Sequence, residues 1–171
     1  MSDNRLATLA HYVIWRCDPS KLGATKLNKI LWFADVEAFR LNGNTISGAD
    51  AYEKRPFGPV PKGILRAIGA LTDEGKVVTS EQNYYGRPKR MFFSLARPDL
   101  SAFSGDEIAI IDMVADSISS GHTAESISVL SHDALWDEIE DGADIPISAA
   151  AITEGEVTGG DMEWARAAFA G

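Results

Sequence analysis

The stretch over residues 26–41 is apolar on two sides, and few folds can accommodate such a segment. Leu27, Ile30, Leu31, Ala34, Ala38 and Leu41 recur at helical spacing and make one face. Trp32, Val36 and Phe39 make a second stripe. A helix wrapped in apolar residues has to be covered on both sides, so it belongs at the centre of a domain. Trp32 and Phe33 then read as core rather than as a ligand box, because large aromatics contribute mainly by burial. Thr25 is placed to cap the helix N-terminus, and Gly43 follows its end near Leu41.

The surrounding pattern supplies the covering elements. Leu6, Leu9, Ala10, Val13 and Ile14 form one stripe and predict a first helix over 4–16, ended by Asp18-Pro19. A third helix is predicted over 61–74, burying Ile64, Leu65, Ile68 and Leu71, with Gly75 as its C-terminal cap. Val77-Val78-Thr79 and Met91-Phe92-Phe93-Ser94-Leu95 flank a polar turn and predict an antiparallel hairpin. Ser104-Gly105-Asp106-Glu107 is a capping box for a fourth helix to about 119. Thr123 is placed to cap a fifth, broken helix to about 141. Residues 145–160 read as a loop, and 161–170 as a short terminal helix carrying Met162, Trp164 and Phe169. The fold class is α+β and mainly helical: a bundle around the central apolar helix with a small antiparallel hairpin, in winged-helix-like order. Residues 1–150 form one domain, and 151–171 a Gly-rich segment with a short C-terminal helix.

Between the second and third helices lies Tyr52-Glu53-Lys54-Arg55-Pro56-Phe57-Gly58-Pro59-Val60-Pro61. Three prolines and a glycine within six residues fix the backbone: each proline locks φ and pushes its predecessor toward extended geometry. Pro56 has no N–H for a central ladder, so the segment reads as an extended edge followed by a rigid turn. No catalytic set accompanies it, and recognition is its natural use. Tyr52, Lys54, Arg55, Phe57, Gly58, Pro59 and Val60 are the candidate partner-binding residues, with Tyr52, Lys54 and Pro59 as the outward set. The competing role for Phe57 and Val60 is to plug the core.

Charge is unevenly distributed. Residues 1–100 carry a net +5, whereas residues 101–171 carry a net −14 with a single basic residue, Arg166. Such polarity arises from two faces for different partners, from one half docking on the other, or from acidic residues solvating exposed helices. Lys62 and Arg66 on the third helix, with Arg87, Lys89 and Arg90 on the hairpin, are candidate DNA contacts. Asp73, Glu74 and Glu81 dilute that face, and specific duplex binding by the isolated chain is expected to be weak or absent.

Several classes of chemistry find no support. No hydrolase elbow, P-loop, dinucleotide fingerprint or zinc motif occurs. His11, His122 and His132 have no second ligand at metal spacing, and Cys17 cannot complete a cluster. Cys17 and His11 fall on different helix faces, so the thiol reads as a buried one. Asp137, Glu138, Glu140 and Asp141 cluster on one exposed helix with no cleft to raise a pKa. No catalytic residue, metal or cofactor is expected. A single cysteine, an N-terminus without a signal peptide and the lack of a run of about 20 apolar residues predict a cytoplasmic protein with no membrane span.

Three blocks in order carry a family resemblance: Lys26-Leu27-Asn28-Lys29-Ile30-Leu31-Trp32-Phe33-Ala34-Asp35; the aromatic and basic stretch ending in Gly58-Pro59-Val60; and Ser131-His132-Asp133-Ala134-Leu135-Trp136 followed by Ile145-Pro146-Ile147-Ser148. Together they resemble the SocA-type antitoxin domain, also called Panacea, over roughly residues 6–150. The resemblance implies the antitoxin of a type II toxin–antitoxin pair. Such a protein works by contact with a cognate protein toxin, either blocking it or, as an adaptor, delivering it to a cytoplasmic protease. A winged-helix-like DNA-binding regulator is the alternative. No residue set supports a small enzyme.

Overall fold

The computed structural model of the chain describes residues 2–56, 58–121 and 139–155. In chain order these form α1 (Ser2–Arg16), α2 (Gly23–Asn42), β1 (Ala51–Arg55), β2 (Gly58–Pro61), α3 (Ile64–Asp73), β3 (Val77–Tyr84), β4 (Arg87–Ser94), α4 (Gly105–Gly121), β5 (Asp144–Pro146) and α5 (Ile147–Gly155). The fold is α+β and mainly helical.

Helix α2 stands where its two apolar faces require. α1, α4, α5, β2 and β4 all pack on it. Leu27, Ile30, Leu31, Ala34, Val36 and Ala38 are each at most 1% exposed. Trp32 is buried and meets the Tyr52 ring edge-on, with centroids 5.1 Å apart. Gly43 caps the helix as predicted, its N–H donating to Phe39 O at 2.8 Å. Two details differ from the pattern. Leu41 is 58% exposed, because the last turn runs past the elements that cover the rest of the helix. The helix also begins at Gly23, with Leu22 at the N-cap and no side-chain cap, so Thr25 lies inside it. Burial of Leu22 fixes this end by packing instead.

α3 starts at Ile64 rather than at 61, because Val60 and Pro61 belong to β2. Its buried stripe is Ile64, Ala67, Ile68 and Leu71, the i, i+3, i+4, i+7 set. Leu65 lies off that stripe and is 72% exposed, against expectation. Glu74 rather than Gly75 stands at the C-cap, and Gly75 follows it at φ +72°, with Lys76 N–H reaching back to Leu71 O and Gly75 N–H to Thr72 O. β3 and β4 pair from Val77↔Ser94 to Tyr84↔Arg87, a longer hairpin than the apolar runs alone indicate. The capping box opens α4 as read: Ser104 N–H donates to Glu107 Oε1 and Glu107 N–H to Ser104 Oγ.

Residues 145–160 were expected as a loop, but 145–155 carry β5 and α5. Ile145 sits opposite Tyr52 in the ladder, and Ile147, Ala150 and Ala151 are buried. A three-residue strand followed by an Ala-rich turn of helix has too few periods to show in sequence. Of the fifth helix expected over 123–141, residues 123–138 lie outside the described residues and 139–141 are not helical; residues 156–171, including the predicted terminal helix, also lie outside them.

Among the described residues, part of the charge polarity is one half docking on the other. Arg16 Nε meets Asp112 at 2.6 Å and its Nη1 meets Asp116 at 2.7 Å. Arg5 pairs with Glu107 at 2.9 Å, Lys62 with Asp144 at 2.6 Å, and Lys54 lies 3.8 Å from Asp141. These pairs are partly solvated, so each contributes about 0–1 kcal/mol and serves register more than strength.

The packing distinguishes two residues that look alike in sequence. Trp32→Ala should lose about 3–5 kcal/mol of stability in a denaturant titration, as large buried aromatics do. Leu41→Ala should change it by less than about 0.5 kcal/mol.

Candidate recognition site

Segment 52–61 folds into two strands rather than one edge. β1 pairs with β2 on one side and with β5 on the other, so β1 is the middle strand of a three-stranded sheet. Pro56 falls in the connecting turn, where its missing N–H costs no ladder bond. Gly58 opens β2 at φ +132°, a region that residues with a Cβ rarely adopt. The outer strand is Gly58-Pro59-Val60-Pro61, whose two prolines offer no N–H, so it is a poor template for an added strand.

The faces are the reverse of the outward set expected above. Tyr52 is fully buried, and Lys54 and Pro59 are buried too. Alternate residues on a strand face opposite ways, and the face holding Tyr52 and Lys54 is the one turned toward α2 and the 139–144 segment. Lys54 reaches past the sheet edge to donate to Ile139 O at 2.7 Å. Arg55 is exposed and Glu53 half-exposed, with Arg55 Nη2 3.1 Å from Glu53 Oε1, while Val60 is half-buried and packs against the core, the competing role given to it above. Phe57 lies outside the described residues.

Beneath this sheet is a group the sequence reading did not single out. Asp35, on α2, is fully buried. Its carboxylate accepts from Ile46 N–H at 2.8 Å, Ser47 N–H at 2.9 Å, Ser47 Oγ at 2.5 Å and Tyr52 OH at 2.7 Å. One side chain thus ties α2, the 45–49 loop and β1 together. Burial lifts the Asp35 pKa, and the four hydrogen bonds oppose that rise. Burial, with the adjacent carboxylate, drives the Tyr52 pKa well above its ordinary value, so the hydroxyl stays a donor. The available signal was a carboxylate among the apolar positions of α2.

Lys29 is the second buried ion of α2. At 1% exposure its ammonium has lost most of its water, which pulls its pKa down to about 7. His11 is buried as well, with Nε2 3.1 Å from Ser94 Oγ and 3.0 Å from Ala96 O; burial lowers its pKa. That ring therefore ties α1 to the end of β4 and does not face Cys17, which is buried with its pKa raised by burial. Glu140 and Asp141 are exposed, while His122, His132, Asp137 and Glu138 lie outside the described residues. Among the described residues no group of three His, Cys, Asp or Glu is arranged to hold a metal ion.

The candidate DNA contacts are scattered and partly engaged. Lys62 pairs with Asp144, and Lys89 Nζ donates to Ser20 O at 2.9 Å. Arg90 lies 5.8 Å over the Phe92 ring, and Arg66 lines a groove between α1 and α3. Arg87 stands opposite Tyr84 at the hairpin end.

Three substitutions test this arrangement. Tyr52→Phe removes one bond to Asp35 and should cost about 1–2 kcal/mol, whereas Asp35→Ala strands four donors and should cost about 3 kcal/mol or more, both read by denaturant unfolding. Lys29 supplies a pH dependence. Its folded pKa is depressed, so between about pH 7 and the ordinary lysine range the unfolded chain holds a proton that the folded chain does not, and this group makes stability rise with pH. Below about pH 7 both states are protonated and the burial penalty is fully present. Lys29→Met should therefore be more stable than the wild type at about pH 7, and its gain should shrink by about pH 9.5.

Compared with known proteins, the sequence matches the family described as antitoxin SocA-like, Panacea domain, over residues 27–137. No curated protein and no solved structure matches. The matched span takes in α2 with Asp35, the β1–β2 pair with its Gly58-Pro59-Val60, α3, the hairpin and α4. No helix among the described residues is long and apolar enough to cross a membrane. With most of its length inside the match, the chain belongs to the SocA-like antitoxin family that carries the Panacea domain.

Proposed function

We propose that this chain is the antitoxin of a type II pair and neutralises a cognate protein toxin by binding it directly, without a catalytic step of its own. The observation that carries this reading is the family match. The braced β1–β2 pair supports the contact mode. A surface whose backbone is already fixed loses little entropy when a partner docks.

In this reading Arg55, together with Phe57, touches the toxin. Tyr52, Lys54, Gly58, Pro59 and Val60 hold the shape from beneath. Blocking the toxin requires only that contact. Delivery to a protease requires a second partner as well. A DNA-binding role gains no specific support, since Lys62, Lys89 and Arg90 have internal contacts.

Growth rescue tests the proposal. The protein encoded by the neighbouring reading frame should arrest growth when expressed alone, and co-expression of this chain should restore it. Arg55→Glu should weaken rescue while leaving the melting temperature within a few degrees of wild type, as surface changes do. Toxin abundance separates the two modes: unchanged levels accompany blockade, and a fall accompanies delivery. A neighbouring product that is harmless alone, or arrest that this chain does not relieve, would overturn the reading.

A further inference from the structure

A groove of about 300 Å³ runs between α1 and α3. Ala7 and His11 form one wall, Arg66 and Ala70 the other, and Lys76 and Arg97 close it. It starts at Gly63, two residues beyond the end of β2, so it is continuous in sequence with the proposed toxin-binding strands. One turn along α1 from His11 stands Trp15, on the same side of the helix and 43% exposed. The Arg97 guanidinium, which lines the groove, also lies 5.9 Å over the Trp15 ring. Leu95, 61% exposed, is held beside the groove by its N–H bond to Lys76 O at 2.8 Å.

We propose that this groove and its Trp15–Leu95 rim take an acidic, aliphatic segment of the toxin. The proposal rests on the toxin-binding reading above and names the surface and the chemistry of its partner. An exposed tryptophan under an arginine is a combination that anchors protein interfaces. Charge complementarity selects the occupant. Arg66, Lys76 and Arg97 line the groove against Glu74 and Asp99, a local excess of positive charge in a chain of net −9. Glu74 and Lys76 pair with each other at 2.7 Å, which leaves Arg66 and Arg97 facing Asp99 alone. A peptide carboxylate can meet Arg97 while its aliphatic neighbours cover Trp15 and Leu95. A nucleic-acid strand would leave the exposed Trp15 and Leu95 uncovered.

The test is titration calorimetry of the full chain with the purified product of the neighbouring reading frame. Arg97→Glu should weaken binding at least tenfold, Trp15→Ala and Leu95→Ser should each weaken it measurably, and all three should melt near the wild-type temperature. Because Arg97 and Trp15 are in contact, Arg66→Glu serves as an independent charge reversal. Wild-type affinity should fall as salt rises from about 50 to about 300 mM, and the Arg97→Glu variant should lose most of that dependence. Wild-type binding that survives Arg97→Glu and Arg66→Glu unchanged overturns the groove while leaving the antitoxin reading in place. No binding by the wild type overturns the antitoxin reading itself. Duplex DNA bound tightly by the wild type and released by Arg97→Glu would also overturn a protein occupant.

Discussion

The Asp35 carboxylate is the joint on which the rest of this structure hangs. It sits at zero exposure on the central helix, a position that is tolerable only because four donors surround it. Two of those donors are backbone amides of the loop after α2, so the carboxylate dictates how the chain leaves the helix. A third is Tyr52, which packs its ring on Trp32 and fixes β1. β1 then carries both β2 and β5, and β5 leads straight into α5, which packs back on α2. Each of these elements inherits its position from one buried side chain.

A second principle is the distribution of charge. The positive first half and negative second half meet along α1–α4 and along the β1–β5 edge, through Arg5, Arg16, Lys54 and Lys62. Asp112 also accepts from Tyr12 OH, so the α1–α4 seam combines a charge pair with an aromatic contact. Such solvated pairs add little stability individually, but they select one docking of the halves over others. Solvation of exposed helices is therefore not the whole account of the acidic half. The groove between α1 and α3 keeps the opposite local sign, which is what makes it stand out as a surface for an acidic partner.

Legibility followed the length of the pattern. The buried faces of α1 and α2 were readable because several turns repeat the same period, and Ser104 with Glu107 gave the start of α4 away. β5 and α5 were not readable, since three residues of strand acquire meaning only from pairing with β1. The β1–β2 segment was recognised as rigid, but its faces were inverted: Tyr52 looked like an interface aromatic and is a core residue. Strand alternation fixes which residues share a face without saying which face is inside. Asp35 supplies that missing choice, because Tyr52 must turn inward to reach it.

Amide hydrogen exchange at Ile46 and Ser47 tests that dependence most directly. These two N–H groups lie in a loop outside any helix or strand, and Asp35 is what protects them. In the wild type both should exchange about as slowly as the core of α2, through global unfolding. In Asp35→Asn, which keeps the size but removes the charge and one acceptor oxygen, they should exchange much faster while the α1 amides hold their protection. Rapid exchange at Ile46 and Ser47 in the wild type, or unchanged protection in Asp35→Asn, would contradict the claim that this carboxylate organises the fold.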